Sequence, residues 1–149
     1  MKKKIAMLGA ALILTFSVSF ANNSNKEVPN AIKSDFNHHF ATAKNVSWEK
    51  ENEYYKVSFA LQGSVLFAYY TSDNDFIGVA HNITSDKLPM MLQADLKSNY
   101  SDYWITDLME YSLKHQPGYS IRLENADQTL ILKSDNLSNW YLYKRIRKD

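Results

Sequence analysis

The chain has 149 residues, with 17 basic and 16 acidic side chains and no cysteine. This length favours a single domain, and the lack of cysteine excludes disulfides, thiolate catalysis, cysteine-based zinc sites and a lipid anchor on cysteine. Without the three lysines near the N-terminus, 14 basic and 16 acidic side chains remain, so neither nucleic acid nor an anionic membrane is expected as a partner.

The N-terminus has the organisation of a secretory signal peptide. Three lysines precede an apolar run over residues 5–16, and small residues stand at Ser19 and Ala21. The apolar run is shorter than the ~20 residues that span a bilayer. The sequence therefore predicts a signal peptide over residues 1–21, a polar linker over 22–28, and a periplasmic or secreted mature protein without membrane contact.

Hydrophobic periodicity predicts the elements of the mature chain. A helix is expected over about 29–43, with Phe36 and Phe40 on its inner face. Strands separated by turn residues follow near 45–49, 54–61, 65–71 and 76–81. A second helix is expected from Asp86 to about Asn99, then a long strand over 103–115 with a bulge near Asp107, a turn at 116–118, and strands near 119–124, 130–132 and 140–146.

This order reads as one unit used twice. Each unit has a helix followed by four strands, at about 29–83 and 86–147, and aromatic and apolar positions match between them at offsets of 60 to 64 residues. We therefore expect an α+β fold, a tandem repeat of helix plus four-stranded antiparallel sheet, with the helices packed on one sheet face. The alternative is a single barrel, against which the two helical patterns argue.

Short aromatic motifs in this order resemble a known family. They are Phe40-x-x-Ala43, Asn45-Val46-x-Trp48-Glu49, Tyr55-x-Val57-x-Phe59, Ala68-x-Tyr70, Leu88-Pro89 and Tyr100-x-x-Tyr103. Together they are similar to the PepSY-like proteins, which are also described as similar to the β-lactamase inhibitor protein. The resemblance covers residues 29–149 and implies a small exported domain whose helices cover one sheet face. The group is of unknown function and is named for its likeness to domains that inhibit or regulate peptidases.

Catalytic, cofactor and metal sites are not expected from the residues. His38 and His39 are adjacent on a helix and point about 100° apart, while His81 and His115 are isolated. No nucleophile elbow or phosphate-binding glycine loop occurs. Residues 73–75 have the Asp-x-Asp spacing of a calcium loop but lack its Gly and distal Glu, so a turn explains them better.

The sheet face opposite the helices is the remaining candidate site. If residues such as Val57, Ile121 and Leu132 face the helices, the period of two assigns their neighbours to the other face. The residues expected to bind a partner there are Tyr54, Lys56, Arg122, Tyr141, Tyr143 and Arg145, accompanied by Ser58 and Glu124. Tyr and Arg are enriched at binding hot spots, although such side chains also decorate ordinary solvated sheet faces.

Three functions remain open on the sequence. The first is an exported, non-catalytic binding or inhibitory module that recognises a protein or peptide through this face. The second is a small-molecule or lipid carrier with a pocket between helix and sheet, which large inner residues such as Phe59 and Trp140 disfavour. The third is an exported enzyme, against which only the lack of motifs argues. The partner and the oligomeric state cannot be read from the sequence.

Overall fold

The structure, a computed structural model, describes residues 28–149, so the predicted signal peptide and most of the predicted linker lie outside the described residues. None of the helices in this range is long and apolar enough to cross a membrane. The elements are α1 (Asn30–His39), β1 (Lys44–Lys50), β2 (Tyr54–Leu61), β3 (Ser64–Thr71), β4 (Phe76–Asn82), a short 3₁₀ helix (Ser85–Lys87), α2 (Met90–Asn99), β5 (Trp104–Leu113), β6 (Gln116–Glu124), β7 (Gln128–Ser134) and β8 (Tyr141–Arg147).

The two helices begin and end in the same way. Each follows a proline, Pro29 or Pro89, that stands at its N-cap position. Each ends at an aromatic residue whose backbone N–H donates a hydrogen bond to the carbonyl four residues earlier, at 2.8 Å from Phe40 and 2.9 Å from Tyr100. α1 ends before the predicted residue 43, because the chain leaves the helical conformation at Phe40. α2 ends at Asn99 as predicted but begins only at Met90, because residues 85–87 form the separate 3₁₀ helix and Pro89 stands at the N-cap.

All eight strands form one antiparallel sheet in chain order, and the predicted tandem of two four-stranded sheets is wrong. The two halves join because β4 pairs with β5, in a register from Gly78↔Leu113 to Asn82↔Met109. Separate sheets would leave β4 and β5 as two further edges with unpaired backbone groups. Pairing them satisfies those groups, and periodicity within each half carries no information about this junction.

The helix-covered side of the sheet holds two separate cores. Beneath α1, the ring of Phe36 lies 5.0 Å from that of Phe59 and 5.3 Å from that of Trp48, measured between centroids. Val28, which the sequence pattern assigned to the linker, is buried in this cluster. Beneath α2 the core is mainly aliphatic and consists of Leu88, Leu92, Leu108, Tyr119, Ile121, Leu123, Leu130, Leu132 and Trp140.

The connection between β5 and β6 differs from the prediction. The turn was expected at residues 116–118, but these residues belong to β6, where Pro117 pairs with Ser112. The turn consists of Lys114 and His115, which both have positive φ. Turns of this kind favour Asn and Gly, so a Lys-His pair gives no sequence signal for one. The predicted bulge near Asp107 is confirmed by a register shift between Ile105 and Asp107.

Candidate functional site

The face of the sheet turned away from α1 and α2 has no helix of residues 28–149 packed against it. In β2, Tyr55, Val57 and Phe59 contact the α1 core, so the alternate residues lie on the opposite face. The strand register extends this assignment across the sheet. We call this surface the open face, and its main side chains are Tyr54, Lys56, Phe67, Tyr69, Met109, Tyr111, Arg122, Lys133, Tyr141 and Tyr143.

The centre of the open face is buried although neither helix covers it. Phe67, Tyr69, Ala80 and Met109 form a hydrophobic cluster there, and Tyr69 and Met109 are 1% and 0% exposed. The register shifts in four of the seven strand pairings between residues 44 and 147, and such bulges bend strands and increase their twist. Side chains of β3, β4 and β5 pack against one another at this centre.

An aromatic patch on β2 and β3 adjoins this centre and shares Phe67 and Tyr69 with it. The rings of Tyr54 and Tyr69 lie 5.9 Å apart. The Nζ atom of Lys56 lies 5.0 Å above the ring of Phe67 and 3.4 Å from a carboxylate oxygen of Glu49. The amine therefore joins an aromatic surface to an acidic group, an arrangement that holds its long side chain against the sheet.

The hydroxyl of Tyr69 is the one polar atom of this patch that is buried without a hydrogen-bond partner among residues 28–149. Burial raises the pKa of Tyr69, and the ionisable groups of Tyr54, Glu49 and Asp107 raise it further. A buried hydroxyl that lacks a partner costs free energy.

A second aromatic patch lies on β5 to β8. The Nζ atom of Lys133 lies 3.7 Å above the ring of Tyr143, and Lys133 is only 8% exposed. Burial lowers the pKa of the Lys133 amine. Burial also raises the pKa of Tyr111 to about 12, with further contributions from Tyr141 and Asp135. Side chains from β5, β7 and β8 thus share one environment in this patch.

Gly118 makes room for Tyr111 within this second patch. The two residues pair across β5 and β6, and a Cβ atom on Gly118 would lie 2.4 Å from the Tyr111 ring. The ring therefore lies directly over the glycine backbone. A cross-strand aromatic over a glycine is a packing device that covers exposed backbone.

A strip of polar and charged side chains on β4, β5 and β6 lies beside this second aromatic patch. Asn82 Nδ2 donates a hydrogen bond of 3.0 Å to Asp107 Oδ1. Burial raises the pKa of Asp107, while this hydrogen bond and the Arg122 charge lower it. Lys148 Nζ lies 2.9 Å from Glu124 Oε2, and this charge-assisted hydrogen bond lowers the pKa of Glu124.

The predicted binding residues divide among these regions. Tyr54 and Lys56 lie in the β2–β3 patch, Tyr141 and Tyr143 lie in the β5–β8 patch, and Arg122 lies on β6 beside the polar strip. Arg145 pairs with Leu130, a residue of the α2 core. Its assignment to the open face was wrong, because a bulge in β8 shifts the alternation by one residue after Leu142.

Sequence reasoning missed the residues that form the centre of the open face. They are Phe67, Tyr69, Ala80, Met109 and Tyr111, together with Lys133. The available signal was that β3 is apolar on both faces, whereas a strand with one solvated face alternates. That pattern is typical of a strand that is buried on both sides.

The histidines on the helix side form pairs rather than clusters. His81 Nε2 lies 3.5 Å from Glu110 Oε2, and the Tyr119 hydroxyl donates a 3.1 Å hydrogen bond to Glu110 Oε1. His39 Nδ1 lies 3.3 Å from Asp35 Oδ2. Within residues 28–149, no three His, Asp or Glu side chains come together in a group that could hold a metal ion.

Comparisons with known proteins give solved structures of similar fold. Neither protein-family models nor curated proteins match the chain. A DUF2874 family protein of Bacteroides uniformis has a TM-score of 0.70 and 14% identity, over 80% of this chain and 89% of that chain. A BLIP-like protein of Bacteroides fragilis has a TM-score of 0.68 and 12% identity, over 85% and 92%.

A third similar structure carries a statement of location. It is a protein of Bacteroides eggerthii whose name provisionally assigns it to the periplasm, with a TM-score of 0.69 and 16% identity, over 80% of this chain and 88% of that chain. Identities this low establish the fold alone. The chain therefore has a BLIP-like fold, that is, a fold like that of the β-lactamase inhibitor protein, while the PepSY-like resemblance stays a prediction.

Proposed function

We propose that the mature chain is an exported, non-catalytic module that recognises a protein or peptide through the open face. The observation that carries the proposal is an aromatic sheet face that no helix of residues 28–149 covers and whose centre is nevertheless packed. Side chains held in place before binding lose little conformational entropy when a partner arrives. The open face is therefore a preorganised surface.

The chemistry of the exposed rim suits a polypeptide partner. Tyr141 is 41% exposed and Tyr143 is half-buried against Lys133. Tyr combines a large contact area with a polar hydroxyl at low entropic cost, and is enriched at binding hot spots. Arg122 is half-buried near the C-terminal end of β6, where its guanidinium would meet a backbone carbonyl or carboxylate of a partner.

Export is supported by the leader sequence and, weakly, by the name of the Bacteroides eggerthii neighbour. The BLIP-like neighbour supports a binding role by analogy of fold, and at 12% identity it does not identify a target.

The alternative function is a small-molecule or lipid carrier. The space between α1 and the sheet is occupied by Phe36, Phe40 and Phe59, with ring centroids 4.8 to 5.2 Å apart. Because these rings fill the space beneath α1, the carrier function has no support there. Native mass spectrometry of the freshly purified mature protein tests it, since a carrier would retain a bound molecule.

The test of the binding proposal compares adjacent residues of β8. Mature protein, residues 22–149, is immobilised and exposed to periplasmic extract of its source organism, and retained proteins are identified by mass spectrometry. The affinity of the best-enriched protein is then measured for Tyr141→Ala, Tyr143→Ala and Leu142→Ala. Leu142 is 48% exposed but pairs with Leu132 of the α2 core, so it is a matched control on the opposite face.

We expect the two tyrosine variants to weaken binding by at least 2 kcal/mol, about 30-fold, as at hot spots. Leu142→Ala is expected to leave binding within about twofold. Tyr143→Phe separates the hydroxyl from the ring, because it keeps the ring against Lys133. Equal losses in all three alanine variants would place the partner elsewhere and reject the open face as the binding surface.

A further inference from the structure

β8 is a terminal strand of the sheet. Among residues 28–149 it pairs only with β7, so one side of its backbone faces outward. An exposed edge presents N–H and C=O groups at the spacing that another strand needs. Of its seven residues only Tyr143 is half-buried and the rest are exposed, so the approach to this edge is open.

The charge of this strand is opposite to that of the rest of the domain. Residues 140–149 carry four basic and one acidic side chain, whereas residues 28–139 carry nine basic and fourteen acidic ones. Lys148 is held by Glu124 at 2.9 Å. Lys144, Arg145 and Arg147 form no ion pair with any residue of the described range. Three uncompensated cations therefore line the free edge.

These cations lie on both faces of the strand. Lys144 pairs with Ile131 on the open-face side, while Arg145 and Arg147 pair with Leu130 and Gln128 on the helix side. A strand added beside β8 would have cross-strand neighbours on both faces. Acidic side chains at alternate positions of such a strand would lie on one face of the sheet, and on the helix side they would meet Arg145 and Arg147.

An apolar side chain lies between two of these charges. Ile146 is 39% exposed and stands between Arg145 and Arg147 in the strand. An added strand would cover part of this apolar side chain, and its burial would contribute favourably to binding. The edge therefore combines two kinds of interaction, electrostatic and apolar.

We propose that β8 accepts, as a ninth strand, an extended segment of another exported protein in which Asp or Glu residues alternate with apolar ones. This goes beyond the proposed function, because it uses the backbone and charges of an edge rather than the side chains of the open face. Such strand addition draws affinity from main-chain hydrogen bonds and specificity from side chains.

Charge argues against a second copy of this chain as the occupant. Two β8 strands side by side would place three cations of each copy next to those of the other. The opposite edge, β1, has two lysines and a single Glu49, so it offers little attraction either. Nucleic acid is disfavoured because the remainder of the domain carries an excess of acidic groups that repels phosphate.

The experiment selects peptides from a phage-displayed library of random linear sequences against mature protein, residues 22–149. We expect the selected pool to be enriched in Asp and Glu alternating with apolar residues. The best peptide is synthesised and its affinity is measured for the triple variant Lys144→Gln, Arg145→Gln, Arg147→Gln. Each lost cross-strand pair is worth about 0.2 to 1 kcal/mol, which corresponds to about 1.4- to 5-fold in affinity.

A matched triple variant removes the same charge elsewhere. Lys33, Lys87 and Lys97 are exposed and lie on or beside the helices, so their change to Gln is expected to leave affinity nearly unchanged. Equal weakening by both triple variants would reflect net charge alone and would overturn the proposal. Tighter binding of a single-stranded oligonucleotide than of the selected peptide would also overturn it.

Two further measurements identify strand addition itself. Amide hydrogen exchange in β8 should slow when the peptide binds, and a peptide N-methylated at the alternate positions that face β8 should lose binding. A pool without acidic enrichment, or a library that gives no binding peptide, overturns the proposal. If peptide binding requires Tyr141 and Tyr143 but not the β8 charges, the proposed function is supported and the addition of a ninth strand is rejected.

Discussion

Tyr69 and Tyr70 are consecutive residues of β3 on opposite faces of the same sheet, and both are almost fully buried, at 1% and 0% exposure. Tyr70 lies beneath α1, in the cluster that contains Ile32 and Phe36. Tyr69 lies on the open face among Phe67, Ala80 and Met109. One face excludes water by adding a helical layer, and the other does so because side chains of β3, β4 and β5 pack against one another.

The two faces also differ in whether their buried clusters connect the two halves of the chain. The helix side has two separate cores, one beneath each helix. The open-face cluster contains residues of β3, β4 and β5 and so spans the junction between the two halves of the chain. We infer that the helix-side cores determine where each half folds, while the open-face cluster and the β4–β5 pairing make the halves one sheet.

The largest expected loss of stability comes from a substitution in the core of the helix-covered face. Phe36→Ala should lower the free energy of unfolding by about 3–5 kcal/mol, because Phe36 is 1% exposed and packs against Phe40, Trp48 and Phe59. Met109→Ala removes a fully buried side chain from the open face. It should cost about 2 kcal/mol, because water can enter a cavity on a face without a covering layer.

Urea unfolding of both variants measures this difference. A control is Met90→Ala, whose side chain is 82% exposed at the start of α2, and which should change stability by less than about 0.5 kcal/mol. A loss for Met109→Ala as large as that for Phe36→Ala would contradict the distinction between the helix-covered face and the open face.

A smaller loss of stability is expected at Gly118, where the absence of a side chain makes room for the ring of Tyr111. Gly118→Ala places a methyl group 2.4 to 2.6 Å from ring carbons and the hydroxyl oxygen of Tyr111, so the ring must move away from the sheet. Overpacking of this kind costs about 1–3 kcal/mol. The movement should also change the near-ultraviolet circular dichroism, which reports on the packing of aromatic rings.

The double variant Gly118→Ala, Tyr111→Ala supplies the control. Without the ring, the methyl group has space, so the cost of Gly118→Ala should be smaller in the Tyr111→Ala background. Additive losses would mean that the strain at Gly118 comes from the backbone rather than from the aromatic ring.

Gly118 also illustrates what the sequence could and could not predict. The Pro117-Gly118 pair favoured a turn at residues 116–118, whereas the turn is formed by Lys114 and His115, neither of which is a glycine. Local periodicity located α1, α2 and most strands, because burial of one face repeats at a fixed spacing. The β4–β5 pairing joins residues on either side of α2, and no local pattern records which distant edges meet.

The candidate site was predictable in the same partial way. Alternation placed Tyr54, Lys56, Arg122 and Tyr141 on the open face, because the period of two holds along a regular strand. It failed for Arg145, which follows the β8 bulge. It also could not predict that Tyr111, Tyr141 and Lys133, from three strands, would share one patch, since curvature of the sheet is a property of all its strands together.

The smallest expected effect is on the pH dependence of stability, and it compares Tyr69 with Tyr70. Burial raises the pKa of both hydroxyls above the ordinary value of 10.0, and the Asp35 charge raises that of Tyr70 further. The folded protein therefore keeps both protons at a pH where the unfolded chain releases them. The stability contributed by each tyrosine is fully present below about pH 10 and is lost as the pH rises above it.

Tyr69→Phe should accordingly change stability by no more than about 1 kcal/mol near neutral pH, because the hydroxyl has no partner among residues 28–149. Between about pH 9 and pH 11 it should lose less stability than the unchanged protein, and Tyr70→Phe should do the same. Burial lowers the pKa of Lys133, so its contribution rises with pH, but it is common to all three proteins and cancels in the differences. Parallel pH profiles for Tyr69→Phe and the unchanged protein, beside a flatter profile for Tyr70→Phe, would mean that the open face admits water at its centre, and that only the helix-covered face is a closed core.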